Sequence, residues 1–538
     1  MRIPMAEALA ILALCAASCR SQGSSERGKA GPTGAPVAAA NGKPLESTKP
    51  PDSAKPPAPA KAAIASAAPE GEIVTAAVEK MNGPEYGRPP VVFRKGHPTK
   101  RAAPKAKRTA TGFTVQFASR ATMTTPTVYE RKVIVSGGFK SKQLYAFDAD
   151  TGDSVWALDL HDDGPSSPAC ESDVCVVSTE SCTLFALDAN TGAHLWSYWL
   201  GDPLTSAPTI AGGLVFASYP TRATADKKPP PPGATHALAA FDLKTGKIAW
   251  QKWLESDVMS APVAVGEFVY VTTFSGTVIK FDQTSGKIHY AMKARATSAP
   301  VVQFAGGVEQ MYYTRRGAVD AEKATGAQEM IIRADHNEPK TRYRANPKRA
   351  EYIDKDVQGG AAHTAKAADE DASNGFQGAA PAAAASGYAA DSVGVSRVSS
   401  MQSFQGSRIA KLQDKTVNTM GDEVLATDSE TGAKLWSYRL TGNLKEEGGY
   451  LGTAPVAAGQ SVFVASLRGE VVRLDHATGK PVATYAVGSP VRSQPVVDGG
   501  WIYVGTDDGK LVAIDTKDPA VTGWPTWGGN AQRTGVSR

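Results

Sequence analysis

The sequence predicts an all-β fold: an eight-bladed β-propeller of four-stranded antiparallel blades, closed by an N-terminal strand and preceded by a disordered tether. Three observations carry that expectation. An Asp-x-x-Thr-Gly turn recurs at a period near 40 residues, and a Ser/Thr-x-Pro opening recurs with it. Between opening and turn lie apolar runs split by Gly or Asp, as in PVVDGGWIYVGTDDGKLVAID. Several short strands per repeat of that length are the pattern of a propeller blade.

The turn sets the register of the repeat. Its first residue falls at Asp148, Asp188, Asp242, Asp282, Glu322, Asp428, Asp475 and, without the Thr-Gly, Asp515. Four of the seven intervals are 40 residues and the others are 54, 106 and 47. The longer ones imply loops inserted between units, the largest at about residues 334–399, which is rich in Ala and is expected to be disordered. Asp and Thr side chains close such a reversal by accepting backbone N–H bonds, and Gly supplies positive φ. Four residues beyond the Gly come Trp156, Trp196, Trp250, Tyr290, Met330, Trp436 and Ala483. A large residue at one fixed place on each outer strand is expected to wedge against the neighbouring sheet. Because these residues recur in nearly every unit, they read as scaffold and not as metal ligands or a cofactor platform.

The openings are Thr124-Thr125-Pro126, Ser166-Ser167-Pro168, Ser206-Ala207-Pro208, Ser260-Ala261-Pro262, Ser298-Ala299-Pro300, Thr453-Ala454-Pro455 and Ser493-Gln494-Pro495, with Ser407-Arg408-Ile409 as a variant. The eighth unit lacks its last strand, since TKDPAVTGWPTWGGN follows Asp515 directly. A spare strand, Gly112-Phe113-Thr114-Val115-Gln116-Phe117-Ala118, precedes the first unit and is expected to complete the eighth. Closing a ring in this way removes an aggregation-prone edge.

The first 19 residues read as an export signal. Their apolar stretch, Ala8 to Ala17, is too short to span a bilayer. Ala16-Ala17-Ser18-Cys19 resembles a bacterial lipoprotein box, which implies cleavage before Cys19 and its lipidation; the alternative is an ordinary secretory signal. Residues 20–110 are rich in Pro, Ala and Lys and are expected to be a disordered linker. Within it, RKGHPTKRAAPKAKR (94–108) is either a solvated spacer or a grip on an acidic surface.

The 538 residues carry a formal charge of only +5, which implies no nucleic-acid partner. Five cysteines form no Cys-x-x-Cys pair, and eight scattered histidines show no zinc spacing. Export makes a disulfide permissible. Cys170 and Cys175 flank the first hairpin of the second blade and are expected either to bridge it or to stay reduced, while Cys182 would remain free. No nucleophile elbow, phosphate loop or dinucleotide fingerprint is present.

AAFDLKTGKIAW, LATDSETGAKLWSY and VYVGTDDGKLVAID, with the Ser-Ala-Pro-Val openings, resemble the PQQ-like β-propeller repeat family. That resemblance covers about residues 111–538 and implies an eight-bladed ring. Two branches of the family matter. Quinoprotein dehydrogenases hold pyrroloquinoline quinone and calcium against adjacent cysteines, and no two cysteines are adjacent here. The outer-membrane assembly lipoprotein (BamB-like) branch is a non-catalytic ring that presents loops to partner proteins. The resulting expectation is a monomeric, lipid-anchored binding module facing envelope proteins, in the periplasm or at the cell surface, without catalytic residues or cofactor. The alternatives are a dehydrogenase with PQQ and calcium, and a ring that binds glycan. Arg295, Arg408 and Arg492, beside or within the openings, are the candidate rim contacts.

Overall fold

The computed structural model describes residues 72–93, 97–180, 183–200, 206–294, 296, 298–316, 329–335, 338–346, 409–443 and 451–536. They form a β-propeller of small antiparallel sheets. Among the described residues the paired strands fall into eight sheets, numbered here in chain order. The first sheet shows the plan. Thr127–Tyr129 is innermost, followed outward by Lys132–Ser136, Gln143–Asp148 and Ser154–Asp159, each antiparallel to the last. Apolar clusters lie between sheets more than within them. Trp196 and Val176 of the second sheet pack with Val215 and Phe241 of the third, and Phe113 and Tyr503 of the eighth pack with Phe147 of the first. A blade this thin has no core of its own, so its stability comes from its neighbours.

The recurring turn fastens each sheet to the one before it. Asp188 Oδ1 accepts from the backbone N–H groups of Asn190 and Thr191 and from the Thr191 hydroxyl, closing the reversal. The indole of the preceding sheet then lies on the turn. Trp156 Nε1 donates to the Ala189 carbonyl, Trp196 to Leu243, Trp250 to Gln283 and Trp436 to His476, at 2.7–3.0 Å. In each pair the acceptor directly follows the turn aspartate. Burying each ring adds at least about 1.5–3 kcal/mol.

Where the indole is missing, a polar tie takes its place. Tyr503 of the eighth sheet donates from its hydroxyl to the Ala149 carbonyl of the first, 2.9 Å away. Tyr290 of the fourth donates to Glu309 Oε1 of the fifth at 2.8 Å, and Tyr270 donates to Oε2 at 2.7 Å. Lys280 neutralises that buried carboxylate and stacks 3.7 Å from the Phe268 ring centre. Between the seventh and eighth sheets, where Ala483 occupies the aromatic position, Arg473 Nη1 meets Asp518 Oδ2 at 2.7 Å.

The turn aspartates carry a pH signature. Hydrogen bonds from the Ser285 and Thr284 hydroxyls and N–H groups hold Asp282 down at about 2, with Ser285 the larger influence. Asp242 and Asp475 are lowered by the equivalent threonines. A carboxyl lowered on folding stabilises above its unfolded value, about 3.9, and that contribution disappears as pH falls towards the folded value. The melting temperature is therefore expected to drop between about pH 4 and pH 2. Asp282→Asn should lower stability at pH 6 and flatten that drop; an unaltered acid limb in calorimetry would contradict the assignment.

Three expectations are corrected. In the segment expected to be a disordered linker through residue 110, residues 72–93 and 97–110 are ordered, because they borrow hydrogen bonds from the rims of finished sheets. Glu72–Ile73 pairs with the outer strand of the fourth sheet, Val92–Phe93 with that of the second and Thr99–Lys100 with that of the first. Ala106–Thr109 pairs with Gly112–Gln116, which itself completes the eighth sheet against Lys510–Asp515. Those four sheets consequently have five strands, not four. At the third sheet the belt passes as a loop, and the Asn82 side-chain amide accepts from the Trp253 N–H and donates to its carbonyl. A short helix, Thr75–Met81, buries Val78 along the way.

The other two corrections concern the fifth sheet. Its third strand is Glu329–Asp335 and its outer strand Glu338–Asn346. Met330 is therefore not on an outer strand, and residues 338–346, expected to belong to a disordered insertion, form that outer strand. The apolar run of Glu329–Asp335 pairs residue for residue with Val308–Arg316, and that ladder overrides the turn-based alignment.

Candidate functional site: the channel and its plug

The inner strands face a central channel, and the Ser/Thr-x-Pro openings line it. Each proline ends the approach to an inner strand and leaves its carbonyl free to accept. Thr127 donates to the Pro168 carbonyl at 2.7 Å, Thr209 to Pro262 at 2.6 Å and Gln494 Nε2 to Pro455 at 3.0 Å. The opening motif is thus a sheet-to-sheet tie at the small radius, as the indole is at the large one.

The C-terminal segment fills that channel. Trp524, Pro525, Ala531, Gln532 and Gly535 accept, through their carbonyls, the N–H groups of Val497, Val128, Ile210, Ala264 and Lys411 respectively. Those donors belong to the inner strands of the eighth, first, third, fourth and sixth sheets. Gln532 Nε2 reaches Glu171 of the second, 2.8 Å away. Trp524 and Trp527 are buried.

At the centre of the plug sits Arg533, 2% exposed. Its Nη1 donates to Thr526 Oγ1 and the Trp527 carbonyl at 3.0 and 2.9 Å. Its Nη2 donates to the carbonyls of Ser167, Pro168 and Pro208 at 3.0–3.3 Å. The guanidinium carbon lies 4.8 Å from the Trp527 ring centre. Burial pushes the group down to about 9, which leaves it cationic at neutral pH. Carbonyl dipoles and an aromatic face solvate this charge.

Beside the plug lies a cavity of about 360 Å³, walled by Tyr129, Cys170, Glu171, Asp498, Asn530 and Gln532. Cys170 and Cys175 are directly opposed across their hairpin and are joined as a disulfide. The hydroxyl of Tyr129 accepts from the Asp173 N–H at 2.9 Å, and burial pushes that phenol up. Among the described residues no group of three or more His, Cys, Asp or Glu is arranged to hold a metal ion.

Of the three arginines singled out from sequence, Arg492 lies within the described residues. Arg492 Nε is engaged by Asp507 Oδ2 at 2.7 Å. Arg295, Arg408, Cys19 and Cys182 lie outside the described residues. The sequence reasoning overlooked Arg533 and the plug. Their one signal was WPTWGGN in place of the eighth turn, where two tryptophans beside a Gly pair need burial somewhere.

This geometry defines a repeat-built β-propeller whose channel is stopped by its own tail. The chain belongs to the PQQ-like repeat family described as outer membrane protein assembly factor BamB, which matches residues 140–227, 232–328 and 417–531. Solved structures with a similar fold include BamB from Moraxella catarrhalis, at 15% identity and a TM-score of 0.45, covering 78% of this chain and 97% of that one. The computationally designed Ika8 protein aligns at 14% identity and a TM-score of 0.46, over 74% of this chain and 98% of that one. Quinohemoprotein alcohol dehydrogenase from Comamonas testosteroni aligns at 12% identity and a TM-score of 0.49, over 76% of each chain. No curated protein matches the chain.

Proposed function

We propose that the protein is an exported, lipid-anchored, non-catalytic scaffold: an eight-bladed ring that presents its surface to envelope proteins, in an outer-membrane assembly type of role. The observation that carries this reading is the plug. Where a ring enzyme needs an open mouth for cofactor and substrate, this chain places Arg533 and two buried tryptophans. The binding surface that remains is the outside of the ring. Family membership supports the same reading. The eight-blade count is supported by the apolar cluster shared between the first and eighth sheets.

The residues do not fit the dehydrogenase alternative. No adjacent cysteines exist in the sequence, and the described residues offer no calcium-type cluster.

Anchoring is tested by fractionating cells that express the full chain and Cys19→Ala. The wild type is expected in the outer-membrane fraction, and the variant in the soluble periplasmic fraction. Co-purification of defined envelope proteins with the wild type, at unchanged yield after PQQ and calcium are added or chelated, is the expected functional result. Dye-linked alcohol oxidation that appears on adding PQQ and calcium would refute the reading.

A further inference from the structure

The belt shows how the outside of the ring takes up a second strand. At each sheet it meets, it engages residues one to three places after the outer-strand aromatic. At the first sheet, Thr99–Lys100 pairs with Asp159 and Leu158, and the Arg101 N–H donates to the Ala157 carbonyl at 3.0 Å. At the second, Val92 and Phe93 pair with Trp199 and Tyr198. At the third, Asn82 satisfies both backbone groups of Trp253. At the fourth, Glu72–Ile73 pairs with Lys293 and Met292, while the Ala291 carbonyl accepts from the Val74 N–H at 2.8 Å. One backbone position is thus used four times, whatever side chains it carries.

The sixth and seventh sheets have the same position. Counting from Trp436 it is Ser437–Arg439, and counting from Ala483 it is Thr484–Ala486. Both segments belong to the outermost strands, Lys434–Arg439 and Pro481–Ala486, each paired on its inner side, and among the described residues no strand pairs with either on its outer side. Nearby, Leu435 and Val482 are 45% and 56% exposed. The outward N–H and carbonyl groups are those of Ser437, Arg439, Thr484 and Ala486, by the alternation seen at Ala157, Trp253 and Ala291. Extended chain added to such an edge gains affinity from main-chain hydrogen bonds and is read only weakly by sequence.

We propose that the outer edges of the sixth and seventh sheets are strand-acceptor sites for an extended segment of another polypeptide, added antiparallel in the register that the belt uses on the first four sheets. This deepens the scaffold reading and rests on it, by naming the kind of partner: a polypeptide with an unpaired, extended segment recognised through its main chain.

The test uses the full chain and a synthetic peptide of alternating Thr and Val with a lysine at each end. The control peptide has proline at every third position. Hydrogen exchange is expected to slow at 434–439 and 481–486 with the first peptide and not with the second. Proline is tolerated at an edge when its missing N–H faces outward. The double variant Ser437→Pro/Thr484→Pro is therefore expected to keep the wild-type melting temperature and to lose about tenfold in peptide affinity. Protection only at other segments, no binding, or edges already protected before peptide is added would each overturn the proposal. Continued co-purification of envelope proteins with the double variant would leave the scaffold reading standing while the edge sites fall; loss of those proteins from the wild type would remove the scaffold reading itself.

Discussion

Trp196→Ala is expected to destabilise the protein by about 3–5 kcal/mol, the range for deleting a buried indole whose site cannot collapse. The ring is 3% exposed and sits between the second and third sheets. Its loss also strands the Leu243 carbonyl, which accepts from Nε1 at 2.9 Å. The partner surface is Gly246, with φ of 69°, where an added Cβ would fall 2.7 Å from the indole Cδ2. Gly246→Ala is accordingly expected to cost about 1–3 kcal/mol, through both the left-handed backbone and the overlap. Since both changes act on one contact, the double variant should lose clearly less than the sum in urea unfolding. Strict additivity would show that indole and glycine do not form a latch.

The second large effect is expected at the plug. Arg533→Ala removes a cation held by the Thr526 hydroxyl and four carbonyls, and takes from the buried Trp527 and Pro208 carbonyls the donor that Arg533 supplies. Bonds to a charged group contribute more than neutral ones, so a loss of about 2–4 kcal/mol is expected. Arg533→Lys should recover only a minor part, because an ammonium cannot reach the Ser167, Pro168, Pro208 and Trp527 carbonyls together. The local readout is proteolysis: cleavage within 520–536 should speed up well before the rest of the chain becomes susceptible. Equal protection of the tail in wild type and variant would contradict the anchor role.

The sequence revealed those parts of the fold whose causes are local. Asp-x-x-Thr-Gly closes its own turn, so the turns at Asp148 through Asp282 could be read without coordinates. The fixed offset of Trp156, Trp196, Trp250 and Trp436 then gave the packing direction. Gly112–Gln116 could be inferred because a counted strand was missing. The belt was hidden because Pro-rich, polar sequence carries no hydrophobic period; its order comes from backbone groups on sheets made elsewhere in the chain. The fifth sheet misled because a Thr-Gly happened to lie at the expected spacing, at Thr325-Gly326. The site was less legible than the fold. Arg492 was chosen by its position in the repeat, which says nothing of the carboxylate that engages it. Arg533 sits outside every repeat, so no alignment could point to it.

Segments from both ends of the described chain are built into one ring. The eighth sheet needs Gly112–Gln116 against Lys510–Asp515, and the Gln116 amide donates to Gly509 across 393 residues of chain. A polypeptide that emerges N-terminus first must keep one edge of that early strand unpaired until the last unit is delivered, and only then can the tail enter the channel. Closure of the ring therefore waits for its last repeat and depends on one late, long-range step. In the interval the nascent chain carries the same kind of exposed edge that it is proposed to shelter in others.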